Sequence, residues 1–360
     1  MALSVLYAGF QDATLVRALF YGIKPAVVAV VAVAVLRIAR RALTRTAHFG
    51  IAAAAFVAIY FFDVPFPLII VGAGIAGYLF GRLWPLEFSG EGALVKGHPE
   101  AVETARAEPL LSDDPIDVPR PRLHRSLVVL AVGLAAWLTP TVVLLLLLGP
   151  SDVFVQEGFF FSSAAVVTFG GAYSVLAYVA QQAVDVYAWL APGEMLDGLG
   201  MAETTPGPLI MVVQFVGFMG AFRQPGTLDP FVAGALAGLL VSWVTFVPSF
   251  LWTFLGAPYA EHLRGQRHLT SALTGVTAAV VGVILNLALW FALQTLFAVT
   301  SELRLGPLRL YTVELTAIDA AALLLTVLAF VALVRLRWPL LLTLAVSAAL
   351  GYGYYVLGIA

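Results

Sequence analysis

The sequence predicts an all-α polytopic membrane protein, an inverted-repeat helical bundle in which some helices are broken or re-entrant. Three observations carry this. The 360 residues are 61% hydrophobic and 11% charged, where a soluble domain runs roughly 45–50% apolar and about 25% charged. Most of the surface must therefore meet lipid. About ten apolar segments can be traced along the chain. One of them recurs: "GIKPAVVAVV" at 22–31 aligns with "GVTAAVVGVI" at 275–284, at a constant offset of 253.

The apolar segments fall near 25–44, 47–62, 65–80, 126–149, 158–183, 205–222, 229–256, 269–299, 310–334 and 338–358. A full span needs about 20 residues to cross ~30 Å of hydrocarbon, and several of these are shorter. "DVPFP" at 63–67 interrupts the second and third. Residues 82–125 hold six prolines and fourteen charged residues, so they read as a solvated linker with little core of its own. This divides the chain into membrane segments 1–81, a polar cytoplasmic linker 82–125, and membrane segments 126–360. Each copy of the repeat continues as three apolar segments, and "FPLII" at 66–70 parallels "WPLLL" at 338–342. Chance similarity between Val/Ala-rich helices is the competing reading.

Flanking charge gives the orientation. Arg37, Arg40, Arg41 and Arg45 follow the first copy, and Arg264 and Arg267 precede the second. If cationic flanks stay in the cytoplasm, the two copies run in opposite directions. Arg82, Arg120, Arg122, Arg125, Arg335 and Arg337 agree. Arg17, Lys24, Arg304 and Arg309 fall on the opposite side. Inverted repeats are a transporter architecture, with the substrate at the repeat interface on interrupted helices.

Other functions are disfavoured. A net charge of −2 argues against a nucleic-acid partner, and the lack of cysteine removes thiol catalysis and thiolate metal sites. The histidines, His48, His98, His124, His262 and His268, have no ligand-like spacing, so neither metal nor cofactor is expected. With no H-E-x-x-H and no cysteine, no catalytic residue is assigned and an enzyme is not expected. "GAGIAG" at 72–77 matches a dinucleotide fingerprint literally. It lies inside a membrane segment without βαβ context, so it reads as helix packing.

Two interruptions are candidate sites. In "ETTPGPLIMVVQFVGF" at 203–218, Thr204 and Thr205 can cap a helix whose first turn holds Pro206, Gly207 and Pro208. A short helix starting inside the bilayer would present free N–H groups to an anion. An ordinary helix start at the membrane surface is the alternative. In "TFGGAYSVLAYVAQQAV" at 168–184, Gly170-Gly171 permits a break, with Tyr173 nearby; a small-residue packing face is the alternative. Lys24, Glu314 and Asp319 are ionisable groups within apolar segments; Lys24 and Glu314 are each either functional or interfacial, and Asp319 is either functional or else interfacial or purely structural. Asp185, Glu194, Asp197 and Glu203 read as a polar segment between the two motifs.

At "FGGAYSVLAYVAQQAV … WLAPGEMLDGLGMAETTPGPLIMVVQFVGFMGAF" the chain resembles the chromate transporter family of bacterial membrane proteins. Long-chain members have two homologous halves, each opening with Phe-Gly-Gly and Pro-Gly-Pro motifs. Phe169-Gly170-Gly171 and Pro206-Gly207-Pro208 fit the second-half versions. The first-half versions are absent, so 1–81 reads as the remnant of a first repeat. The resemblance implies proton-driven efflux of chromate, with sulfate as the related oxyanion, across the bacterial inner membrane. The expected contacts are amides at 207–209, the Thr204 and Thr205 hydroxyls, donors at Gly170 and Gly171, and Lys24 as fixed positive charge. A homodimer is left open. The alternative is a non-transporting remnant or partner subunit of such a transporter.

Overall fold

The computed structural model describes residues 1–83, 123–168, 171–259, 266–297 and 300–357. Most of the 82–125 linker and Gly170 lie outside them. The first four helices are α1 (Ala2–Phe10), α2 (Thr14–Ala42), α3 (Thr46–Phe62) and α4 (Phe66–Leu83). α3 ends at Asp63, which turns left-handed at φ 53°, and "DVPFP" joins it to α4. After the linker come α5 (Leu123–Leu148) and α6 (Val153–Val166). Among the described residues, five helices are long and apolar enough to cross a membrane: Thr14–Ala42, Phe66–Leu83, Leu123–Leu148, Pro230–Gly256 and His268–Leu296. The chain is a multi-pass helical membrane protein.

The apolar run 158–183 is not one helix. Gly171, at φ 117°, separates α6 from α7 (Ala172–Gln181), and a π-helical turn follows at Gln182–Val186. Of the acids read as a polar segment, Asp185 sits in that π-helical turn, and Glu194, Asp197 and Glu203 build a helix, α8 (Glu194–Thr204), with Glu194 and Asp197 buried. The helix after Pro-Gly-Pro starts later than expected. A 3-10 turn at Leu209–Met211 leads into α9 (Val212–Arg223), and no side chain caps either. Pro206 and Pro208 push Thr205 and Gly207 out of helical geometry, since a residue before proline is crowded by its ring. α10 (Pro230–Gly256) and α11 (Arg267–Leu296) complete this part.

Between α11 and α12 (Ala320–Val334) the sequence reading is corrected. The run 310–334 begins with a β-hairpin, β1 (Thr300–Leu305) against β2 (Leu308–Val313), turned at Gly306 with φ 62°. Arg309 anchors it. Its guanidinium donates to the Ile59 and Tyr60 carbonyls at 3.0 and 3.4 Å and pairs with Asp63 at 2.9 Å. A helix C-terminus offers unpaired carbonyls and a negative dipole end, which explains a cation buried there. Asp319 is structural: it caps α12 through the Ala322 N–H and accepts from the Tyr21 hydroxyl at 2.7 Å. Glu314 is exposed in the loop before it. α13 (Leu340–Val356) closes the chain.

The groups α2–α4 and α11–α13 interlace. α4 packs along α11, α13 along α2, α3 along α11 and α12 along α2. The partners exchange as two related copies require. The α4–α11 and α2–α13 crossings each rest on a glycine pair. A Cβ on Gly275 would come 2.5 Å from the Ala73 carbonyl and 2.8 Å from Gly77 Cα; one on Gly22 would overlap the Ser347 carbonyl and come 3.0 Å from Gly351 Cα. Gly77 of "GAGIAG" is thus a packing glycine, and Gly351 is its counterpart.

The ends of these helices sort the charges. α2 starts beside the start of α12, through Tyr21 and Asp319, and α4 ends beside the start of α11, where Tyr78 stacks near His268 at 5.4 Å. Arg40, Arg41, Arg45, Arg82, Arg335 and Arg337 therefore share one side, while Asp63 and the hairpin lie on the other. The four cations that broke the pattern are each paired with a carboxylate. Arg17 meets Asp12 at 2.6 Å, Lys24 meets Asp197 at 3.3 Å, Arg304 meets Glu302 at 2.5 Å and Arg309 meets Asp63.

Candidate functional site

The site is built on α8. Gly193, at φ 86°, opens this helix with its backbone against Lys24, whose Nζ lies 3.6 Å from where a Cβ would be. Gly200 lets α8 close on α2, since a Cβ there would come 2.6 Å from Ile23. Close approach of α8 to α2 brings an acid to Lys24. Asp197, 3% exposed, takes Lys24 on Oδ2 at 3.3 Å and the Tyr7 hydroxyl on the same oxygen at 2.8 Å. Its Oδ1 has no hydrogen-bond partner among the described residues.

A second pair lies one turn earlier. Arg223, the last residue of α9, bonds Glu194 Oε1 at 2.6 Å and the Trp189 carbonyl at 2.8 Å. Glu194 Oε2 accepts from the Ala191 N–H at 2.7 Å. A cavity of about 360 Å³ opens beside these pairs, lined among others by Tyr7, Arg17, Tyr21, Lys24, Glu194 and Asp197. Lys24 and Arg223 are balanced by Asp197 and Glu194. An anion entering the cavity meets cations already held by carboxylates.

The other expected contacts gather at the far end of α8. The Tyr173 hydroxyl donates to Glu203 at 2.5 Å, and α7, which Gly171 opens, touches the turn before α9. Thr204, Thr205, Pro206, Gly207 and Pro208 are exposed there. The capping role expected of the threonines is corrected. Both hydroxyls donate backward to the Met201 carbonyl, at 2.9 and 2.7 Å. The last carbonyls of a helix lack intrahelical donors, and these hydroxyls supply them. Gly170 lies outside the described residues. Lys24 is not brought to the Pro-Gly-Pro turn. Nine residues of chain, mostly α8, separate its partner Asp197 from Pro206, about 13 Å at a helical rise.

Sequence reasoning missed Tyr7, Glu194, Asp197 and Arg223. A local signal existed for Glu194 and Asp197, which stand three apart on one helical face among Leu196, Leu199 and three glycines.

A family profile described as "Chromate transporter" matches residues 1–78 and 155–352. The chain belongs to the chromate transporter family. Both matched blocks contain parts of the site, α1 and α2 in the first and α8 and α9 in the second. The chain is 28% identical over 148 residues to a chromate transport protein of Cupriavidus metallidurans, covering 41% of this chain and 34% of that protein. It is 32% identical over 163 residues to a chromate transport protein of Pseudomonas aeruginosa, covering 44% and 35%. A probable chromate transport protein of Synechococcus elongatus is 26% identical over 141 residues, covering 39% and 33%. The matched stretch thus spans about a third of each relative. No solved structure matches the chain.

Proposed function

We propose that this chromate transporter family chain is a secondary carrier for chromate, or for the isosteric dianion sulfate, in a bacterial inner membrane. The substrate site is the cavity at Lys24, and the Gly171 and Pro-Gly-Pro turns close its path at the far end of α8. The observation that carries this reading is the Lys24–Asp197–Tyr7 cluster, a cation held ready by a buried carboxylate beside an open cavity.

Magnitudes decide how the site would work. At 3.3 Å the ion pair is worth about 5 kcal/mol at an effective dielectric of about 20. A helix N-terminus offers roughly 0.3–2 kcal/mol to an anion. The fixed cations therefore dominate, and the exposed turns at 204–208 contribute selectivity of shape more than charge. A dianion in this cavity takes Lys24 from Asp197, which would then be left buried and unpaired unless it takes up a proton. Substrate and protons are coupled by this competition. The opposed packing of α2–α4 and α11–α13 supports an inverted repeat as the moving frame.

The test is oxyanion flux into proteoliposomes, with and without a proton gradient, using chromate and sulfate in turn. Flux that the gradient changes, and that Lys24→Gln removes, is the expected result. Undiminished flux in Lys24→Gln would take the site away from this cavity. Thr205→Val should leave substrate affinity nearly unchanged, because its hydroxyl faces the Met201 carbonyl.

A further inference from the structure

Glu157 stands apart from the cavity, in the second turn of α6, and is 0% exposed. Neither carboxyl oxygen has a hydrogen-bond partner among the described residues. It faces a notch on α9 made by two glycines. A Cβ on Gly217 would come 3.3 Å from Glu157 Oε2, and a Cβ on Gly220 would overlap Oε1. The same Gly220 position lies 3.0 Å from the Trp189 ring, whose Nε1 is also buried without a partner among the described residues. Two polar groups without a hydrogen-bond partner among the described residues thus border the same glycine.

Such a group needs an explanation, because an ionised carboxylate without a partner is among the costliest things to bury. Among the described residues no basic side chain forms a salt bridge with it. α9 offers one ionisable side chain, Arg223, which is engaged with Glu194 and the Trp189 carbonyl. α10 carries no ionisable residue, and α5 has none after Arg125. α7 brings Tyr178, whose ring sits against Phe160 at 5.3 Å, as does that of Tyr187 at 5.6 Å. Asp152, the cap of α6, is the nearby acid and repels a second negative charge. A hard metal cation would want six or more oxygens, whereas glycine, valine and tryptophan line the notch. The ligand that fits a lone buried carboxyl is a proton.

We propose that Glu157 is a proton-binding site, loaded as the neutral acid in this conformation and unloaded when α6 and α9 separate during the transport cycle. An intramembrane acid facing the bundle interior is the usual chemistry of proton relays. The glycine pair on α9 is the specific device here: it admits the carboxyl only when the two helices are in contact. The coupling role rests on the carrier reading above, whereas the proton site itself does not.

Infrared spectroscopy of the full chain in lipid, across a pH series, reads the protonated carboxyl directly. The wild type should show a neutral-carboxyl band persisting above neutral pH. Glu157→Gln, nearly isosteric, should lose it, and Asp197→Asn should keep it. A band unchanged by Glu157→Gln, or absent from the wild type, overturns the proton site. In proteoliposomes, Glu157→Gln should still carry oxyanion down its own gradient but lose at least tenfold of the stimulation by a pH gradient. Glu157→Asp should recover part of it. Full stimulation in Glu157→Gln would overturn the coupling role. Absence of oxyanion flux in the wild type would remove the carrier reading, and the infrared band would still decide the proton site.

Discussion

The groups α2–α4 and α11–α13 share a scaffold but not a chemistry. Each crosses the other at a glycine pair, Gly22 with Gly351 and Gly275 with Gly77. Yet α2 carries Lys24 and Pro25 just after its crossing glycine, where α11 carries Thr277 and Ala278. Lys24 reaches α8 and an ion pair. Thr277 returns its hydroxyl to Leu273 one turn back, at 2.8 Å. The repeated feature fixes geometry, and the unrepeated one places charge. In a pseudo-symmetric bundle, function is therefore best sought where the copies disagree.

The scaffold half of this comparison breaks hardest. Gly22→Ala and Gly275→Ala should each cost at least about 2–3 kcal/mol, because the new methyl meets backbone rather than a side chain that can turn away. Thermal unfolding in detergent should show both destabilised alike. Gly72→Ala, with nothing within 4 Å, should be neutral or stabilising by up to about 1 kcal/mol. A large difference between Gly22→Ala and Gly275→Ala would break the equivalence of the crossings.

The chemical half should be asymmetric. Lys24→Gln should weaken sulfate or chromate binding at least tenfold, about 1.4 kcal/mol, while Thr277→Val should stay within twofold by titration calorimetry. Lys24→Gln also leaves Asp197 unpaired, at a cost of about 1–3 kcal/mol in stability. Combining it with Asp197→Asn should restore the stability without restoring binding.

The smallest effects separate buried from exposed cations on the hairpin side. Arg309→Ala should cost about 1–3 kcal/mol by leaving the α3 carbonyls without their donor, while Asp63 keeps Gln181 and Arg304. Faster amide exchange in β1 and β2 would report it. Arg17→Ala breaks an exposed pair with Asp12 and should change stability by less than about 0.5 kcal/mol. Equal losses in both would show that burial of Arg309 does not matter.

Much of this was legible from the chain alone. Composition gave the lipid environment, and the 22–31 repeat gave two groups that exchange partners. Gly171 marked a true break, visible because glycines in an apolar run oppose helix propensity. The hairpin was hidden because Leu308, Leu310 and Val313 extend the apolar count leading into α12, although the Gly306-Pro307 turn and the alternation around it were signals. The charged cluster was harder. Asp197 is intelligible only with Tyr7 and Lys24, which lie 190 and 173 positions away, so local pattern showed acids and suggested a polar segment. Thr204 and Thr205 misled for the opposite reason: their type suits a cap at either end, and backbone geometry chose the preceding helix.

The paired glycines carry a mechanical corollary. Two glycine-to-glycine contacts, one on each side of the interlaced groups, define a line, and Gly282 on α11 meets the Ala52 carbonyl of α3 as a third close backbone contact. A displacement that keeps both glycine pairs in touch is a swivel about that line and has to be accommodated at Gly282. Sliding is barred wherever a bulkier neighbour would be dragged over a glycine. The bundle thus has two bearings written into four residues that possess no side chain at all.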